Sequence, residues 1–130
     1  GHRILLAEDN ELNREIATEI LQMNGVEVIL AENGEEAVYR FSSSKLYSID
    51  AILMDMQMPV MDGCEATRKI RSMDREDAQT IPIIAVTANA FEEDIEKTMN
   101  AGMNGHISKP IDFKILTETL GKFVGSRADD

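Results

Sequence analysis

The chain has 130 residues, enough for one domain, and 43% of them are apolar, enough for a packed core. Its 13 Lys and Arg face 24 Asp and Glu, and the net charge of −11 argues against direct binding of DNA or RNA. No apolar run reaches the roughly 18 residues of a membrane span, and one cysteine with two histidines makes neither an internal disulfide nor the usual zinc site, so any metal must be held by oxygen ligands.

The start, Gly1-His2-Arg3, shows no signal peptide, and Gly1-His2 reads as a tag remnant. Arg3–Ala7 is a short apolar run that predicts a first strand. Leu12, Ile16, Ile20 and Met23 recur at helical spacing, with Gly25 as the stop after the helix. Val26–Leu30 predicts a second strand, and Glu35–Phe41 a helix capped by Asn33. Ala51–Met54 is a third apolar strand that ends on Asp55. A helix is expected from about Asp62 to Met73, with Ala66, Ile70 and Met73 on its apolar side. Asp74-Arg75-Glu76-Asp77 reads as a solvated loop.

Ile81–Val86 is continuously apolar, as for a strand covered on both faces. Phe91–Asn100 is helical, with Glu92, Glu93 and Asp94 in the first turn, where the helix dipole favours negative charge, and with Gly102 as its stop. Gly105–Ser108 is a weak fifth strand. Asp112 caps a last helix bearing Phe113, Leu116, Leu120 and Phe123 on one side, and about residues 125–130 form a tail. Five strands alternating with five helices imply an α/β fold, a doubly wound parallel sheet in a single domain. Ligands of such sheets gather at the carboxyl ends of the strands.

The chemically useful residues fall at those ends. Glu8 and Asp9 follow the first strand, Asp55 ends the third, Thr87 the fourth, and Lys109 the fifth, ahead of Pro110. Each alone is an ordinary turn or cap residue; their joint placement after four strands is what points to a site. Three carboxylates close together repel one another, and a bound Mg²⁺ removes that conflict with one or two direct carboxylate ligands and retained waters. Asp9 and Asp55 are the expected direct ligands, with Glu8 acting through water. Asp55 is then a carboxylate nucleophile for phosphorus. Lys109 offsets charge on the transferring oxygens, and the Thr87 hydroxyl donates to the attached phosphate.

Glu8-Asp9-Asn10, Met54 through Gly63, Val86-Thr87-Ala88-Asn89-Ala90 and Ser108-Lys109-Pro110 resemble the signatures of two-component response-regulator receiver domains. The resemblance covers nearly the whole chain. It implies a flavodoxin-like sheet of strand order 2-1-3-4-5 and an Asp55 that accepts phosphate from a histidine kinase or histidine phosphotransfer domain. It also implies the Gln57 backbone carbonyl as a further Mg²⁺ ligand (Mn²⁺ substituting), and a cis peptide between Lys109 and Pro110. Met54–Pro59, Ala66–Arg71 and Gly102-Met103-Asn104 look most like receivers fused to hybrid sensor histidine kinases, and a stand-alone regulator is the alternative. The resemblance further implies a cytoplasmic domain that touches no membrane, in a parent protein that can be membrane-anchored, and phosphorylation-dependent self-association. The isolated domain would catalyse only its own phosphorylation and dephosphorylation. One position departs from the family: His106 stands where a Tyr or Phe usually serves with Thr87 in the switch, so its part in switching is an open expectation.

Three competing readings fit less well. An aspartyl-phosphate phosphatase usually has a second Asp two residues after the nucleophile, where this chain has Gln57. A flavin-binding domain needs a hydroxyl- or Gly-rich phosphate loop after the first strand, where Glu8-Asp9-Asn10-Glu11 repels phosphate. A receiver-like domain that is never phosphorylated would not need an intact acidic pocket. Met54, Met56, Met58 and Met61 are expected to fill gaps in packing, and Cys64 to pack on its helix.

Overall fold

A computed structural model describes residues 2–88, 92–108 and 113–123, without the side chains of residues 92–94, 113 and 123. The order is β1 (Arg3–Ala7), α1 (Glu11–Met23), β2 (Glu27–Ala31), α2 (Gly34–Ser43), β3 (Ala51–Asp55), α3 (Gly63–Arg71), a 3-10 turn (Glu76–Gln79), β4 (Ile83–Thr87), α4 (Glu92–Ala101), β5 (Gly105–Ser108) and α5 (Phe113–Phe123). The five strands are all parallel, in the order β2-β1-β3-β4-β5. The alternation of strand and helix expected from the sequence is therefore present in order, with boundaries displaced by a residue or two. Val26 precedes β2, Asp62 is the cap of α3 rather than its first residue, and Ile81-Pro82 lie ahead of β4.

Alternating strand residues feed two apolar layers. Leu5, Ala7, Ile52, Met54, Ile83 and Ala85 pack with Ala37 and Phe41 of α2 and Ala66 and Ile70 of α3. Ile4, Leu6, Leu53, Ile84, Val86 and Ile107 face the other way, onto Ala17 and Leu21 of α1 and Leu116 and Leu120 of α5. Both faces of β1, β3 and β4 are thus covered, which is why those strands read as unbroken apolar runs. Met54 is fully buried, while Met56, Met58, Met61 and Cys64 pack against the first layer.

Local signals place the helix ends. Asn33 Oδ1 accepts the Glu36 N–H at 2.8 Å, and Asp62 Oδ1 accepts that of Glu65 at 2.8 Å. Gly25, at φ 75°, closes α1: its N–H goes to Gln22 O at 3.0 Å and that of Val26 to Leu21 O at 3.1 Å. Gly102, at φ 105°, does the same for α4, with the Met103 N–H on Thr98 O at 2.9 Å. The Asp112 cap and the tail at residues 125–130 lie outside the described residues, as do Gly1, Phe91 and the side chains of Glu92, Glu93, Asp94, Phe113 and Phe123.

Two readings gain detail. First, the helical stripe of α1 divides: Ile20 packs on the second layer, whereas Leu12 is 63% and Met23 70% exposed, and Ile16 is exposed too. At about 100° per residue, Leu12, Ile16 and Met23 point roughly 140° away from Ala17 and Leu21, which are fully buried on the sheet. Second, Asp74–Asp77 is not simply solvated. Asp77 is buried and meets Arg75 at 2.6 Å, and its Oδ2 accepts the Tyr47 N–H at 2.9 Å. The Arg75 guanidinium lies 4.3 Å over the Phe41 ring and donates to Phe41 O at 2.7 Å, capping the end of α2.

Candidate functional site

The parallel register delivers the strand ends to one edge. Ala7 is level with Met54, Asp55 with Val86, and Thr87 with Ser108. Asp55 therefore stands in the middle of the sheet, between the turn after β1 and the end of β4. Glu8, Asp9 and Asp55 offer carboxylate oxygens that all lie within 4.8 Å of one another. Glu8 and Asp55 are buried at 2% exposure each, and Asp9 is exposed. Two buried carboxylates and one at the mouth make an oxygen-only donor set, which matches the hard-ligand preference of Mg²⁺. Asp55 Oδ1 accepts the Gln57 N–H at 3.2 Å, so the backbone of Gln57 turns back beside the carboxylate.

Thr87 is buried at the end of β4. His106 lies on the edge strand β5, level with Ala85, and is exposed. Lys109 and Pro110, with the expected cis peptide, lie outside the described residues, as do Asn89 and Ala90 of the fourth-strand motif; β5 delivers the chain to within one residue of Lys109.

The loop from Met56 to Asp62 is tied at both ends. The Met56 N–H donates to Val86 O at 3.0 Å and that of Gly63 to Met56 O at 3.1 Å. Gly63 is pressed on Asp55: a Cβ there would collide with the Asp55 carbonyl oxygen. Gly34 is likewise pressed on the Met61 carbonyl, whose oxygen accepts the Gly34 N–H at 3.0 Å. Between them Val60 sits at φ 69°, with the Met61 N–H on Pro59 O at 2.7 Å. This is a γ-turn with a β-branched residue at positive φ, a strained arrangement beside the site. Cys64 Sγ lies 3.9 Å from Met56 Sδ, which fits a packing role.

Sequence reasoning missed Arg14. Its Nη1 donates to Glu8 O at 2.9 Å and Asp9 O at 3.0 Å, and its Nη2 lies 3.4 Å from Glu32 Oε1. The available signal was its place one turn into the helix that follows the acidic pair. It also missed Gly63 and Val60, whose demands come from chain they meet only in the fold.

The response regulator receiver domain model matches residues 4–121. The hybrid signal transduction histidine kinase I of Dictyostelium discoideum is 40% identical over 120 residues, covering 91% of this chain but 7% of that protein. The chain thus spans a small part of the hybrid kinases it matches. A two-component response regulator of Oryza sativa subsp. japonica is 42% identical over 123 residues, 93% of both chains. Among solved structures, the receiver domain of a Pseudomonas aeruginosa PAO1 sensor histidine kinase, with a magnesium ion coordinated in its active-site cleft, superposes with TM-score 0.86 at 40% identity. It covers 96% of this chain and 98% of that one. The receiver domain of a Saccharomyces cerevisiae response regulator, crystallised with a histidine phosphotransfer protein, gives TM-score 0.88 at 28% identity and covers 98% and 91%. With the strand order, the three converging carboxylates and the family match over residues 4–121 together, the chain belongs to the response-regulator receiver domains of two-component and phosphorelay systems.

Proposed function

We propose that Asp55 is the phosphoacceptor of this receiver. It takes a phosphoryl group from a phosphohistidine on a histidine kinase or histidine phosphotransfer domain. The observation that carries this reading is the convergence of Glu8, Asp9 and Asp55 within 4.8 Å at the carboxyl edge of the sheet. An Asp55 oxygen attacks phosphorus as the phosphorus–nitrogen bond breaks and the imidazole departs; the product is an acyl phosphate. Asp9 and Asp55 hold Mg²⁺ directly, the Gln57 carbonyl completes the protein ligands, and Glu8 acts through water; Mn²⁺ substitutes. The bound ion supplies charge neutralisation on the transferring oxygens. Lys109 shares that task, and Thr87 donates its hydroxyl to the attached phosphate. The magnesium of the Pseudomonas receiver and the oxygen-only donor set support the metal.

The exposed stripe Leu12, Ile16 and Met23 on α1, which begins two residues after Asp9, offers the donor an apolar docking face. The yeast receiver crystallised with a phosphotransfer protein supports a partner of that kind. Phosphorylation biases a two-state domain, with Thr87 as the sensor, and changes what its surface binds, self-association included. His106 joins the switch if its exposed ring turns inward. Residues 1–130 act as one domain ending in a short tail, and alone it catalyses only its own phosphorylation and dephosphorylation. The parent is a hybrid histidine kinase, itself a sensor enzyme, with this domain in the cytoplasm. A stand-alone regulator is the second reading, favoured by the rice relative whose whole length the chain nearly spans. Among the described residues no helix is long and apolar enough to cross a membrane.

The test is incubation with acetyl phosphate and Mg²⁺, followed by intact-mass analysis. One phosphoryl group is expected, released by hydroxylamine, lost in Asp55→Asn and not acquired in EDTA. Equal labelling of Asp55→Asn refutes the assignment, and equal rates in EDTA refute the metal.

A further inference from the structure

We infer that Arg14 is the positioning residue of the cation pocket: it holds the Glu8–Asp9 turn in the shape that lets the two side chains meet Asp55. The inference rests on the reading of those carboxylates as a Mg²⁺ site.

The turn has every reason to splay. It carries two carboxylates that face a third within 4.8 Å, and like charges repel most in the absence of the ion. It also leaves β1 with backbone carbonyls that need partners. Among the described residues, several ties hold it. The Glu8 N–H donates to Ala31 O at 3.0 Å, fastening the turn to the end of β2. Glu8 Oε2 accepts the Asn10 N–H at 3.2 Å, and Asn10 Oδ1 caps α1 through the Asn13 N–H at 3.0 Å. Arg14 closes the arrangement from the helix side. One guanidinium nitrogen reaches both carbonyls, Glu8 O at 2.9 Å and Asp9 O at 3.0 Å, while its own backbone N–H is held on Asn10 O at 2.9 Å. With both its backbone and its side chain fixed, Arg14 links the first turn of α1 to the two residues that carry the charge.

Two opposite effects on cation binding follow. A positive charge near the pocket repels Mg²⁺, whereas a fixed turn spares the ion the cost of assembling its ligands. Glu32 decides between them. Its carboxylate lies 3.4 Å from Arg14 Nη2, so the pair presents a dipole rather than a bare charge, and the repulsion is largely cancelled. Positioning therefore dominates. Arginine is suited to this: its planar fork sets Nη1 on the two carbonyls while Nη2 meets Glu32, whereas a lysine ammonium offers a single point of charge.

The experiment is a Mg²⁺ titration of the 130-residue chain, read by amide chemical shifts and without phosphodonor. Thermal unfolding in EDTA and phosphorylation rate against Mg²⁺ concentration are measured in parallel. In Arg14→Met the half-saturating Mg²⁺ should rise about tenfold, with the maximal phosphorylation rate kept at saturating metal. Arg14→Lys retains the charge without the fork and should also bind Mg²⁺ more weakly; it provides the same test if Arg14→Met unfolds in EDTA. Unchanged or tighter Mg²⁺ binding in the variants overturns the inference, tighter binding because it means the charge outweighs the geometry. So does a loss confined to the maximal rate. Asp9→Asn separates this failure from that of the site itself: if it too leaves Mg²⁺ affinity unchanged, the cation reading falls and the role of Arg14 falls with it.

Discussion

A single methyl group at Gly63 should slow phosphorylation strongly without replacing any acidic residue. Gly63 begins α3, and its missing side chain is the space occupied by the Asp55 carbonyl oxygen; a Cβ there would also approach the Asp55 carbonyl carbon and Met54 Cγ, both at 3.1 Å. Neither neighbour can yield cheaply. The Asp55 backbone lies in a central strand, level with Val86, and Met54 is fully buried. Ordinary carbon contacts need about 3.5 Å or more, so in Gly63→Ala either the start of α3 or the end of β3 must shift by on the order of 1 Å. The Gly63 N–H bond to Met56 O, at 3.1 Å, is then strained or lost. Overpacking of this kind costs about 1–3 kcal/mol. A displacement of about 1 Å at a reacting group costs about 100-fold in rate. The assay is the rate of acetyl phosphate labelling at saturating Mg²⁺ by intact mass, alongside thermal unfolding in EDTA. A variant that labels at the wild-type rate with an unchanged unfolding temperature would refute the claim that this close approach places the acceptor.

Thr87→Ala should still be labelled at Asp55 yet show smaller phosphorylation-induced amide shifts over β4, α4 and β5; full wild-type shifts would remove Thr87 from the switch. Val60→Gly should stabilise the domain by about 1 kcal/mol, because relief of the positive-φ strain exceeds the added freedom of the unfolded chain; a lower unfolding temperature would mean the γ-turn is not strained. Asp77→Ala leaves the Arg75 guanidinium without its carboxylate and should cost about 3 kcal/mol near neutral pH by urea unfolding. Burial pushes the Asp77 carboxyl up, but the hydrogen bonds from Arg75 and the Tyr47 N–H and the charge of Arg75 outweigh this and hold it below its ordinary value. A carboxyl lowered by folding stabilises the protein above its unfolded pKa, and that contribution is lost as pH falls through the folded one. The wild type should therefore lose more stability than Asp77→Ala between about pH 5 and about pH 2; parallel curves would contradict the pairing.

Much of the fold was legible because its signals are local. Asn33, Gly25 and Gly102 act on backbone groups within a turn of themselves, so their residue types mark helix ends directly. The apolar runs of β1, β3 and β4 announce strands covered on both faces, and the polar residue after each run marks the edge where a site forms. The motifs after those strands carried both the family and the three carboxylates that the fold brings together.

Orientation and burial were decided elsewhere. Leu12, Ile16, Ile20 and Met23 obey helical spacing as well as any core stripe, yet α1 meets the sheet through Ala17 and Leu21, with Ile20 alone of the stripe packed beside them. Spacing defines a face but not which neighbour it meets, and a stripe kept for a partner has the same period as one kept for the core. Asp77 read as part of a charged loop because Tyr47, and the Phe41 that its neighbour Arg75 caps, belong to segments about 30 residues or more back along the chain. Gly63 is constrained by an oxygen eight residues back, and Arg14 by the turn that precedes its own helix and by Glu32 just past the next strand. The residue types and their order were sufficient for the strands, the helix ends and the acidic edge, because those depend on neighbours along the chain. Which charges are buried, which apolar face is left open and which side chain holds the acidic turn depend on neighbours in space, and only the packed sheet and helices supply them.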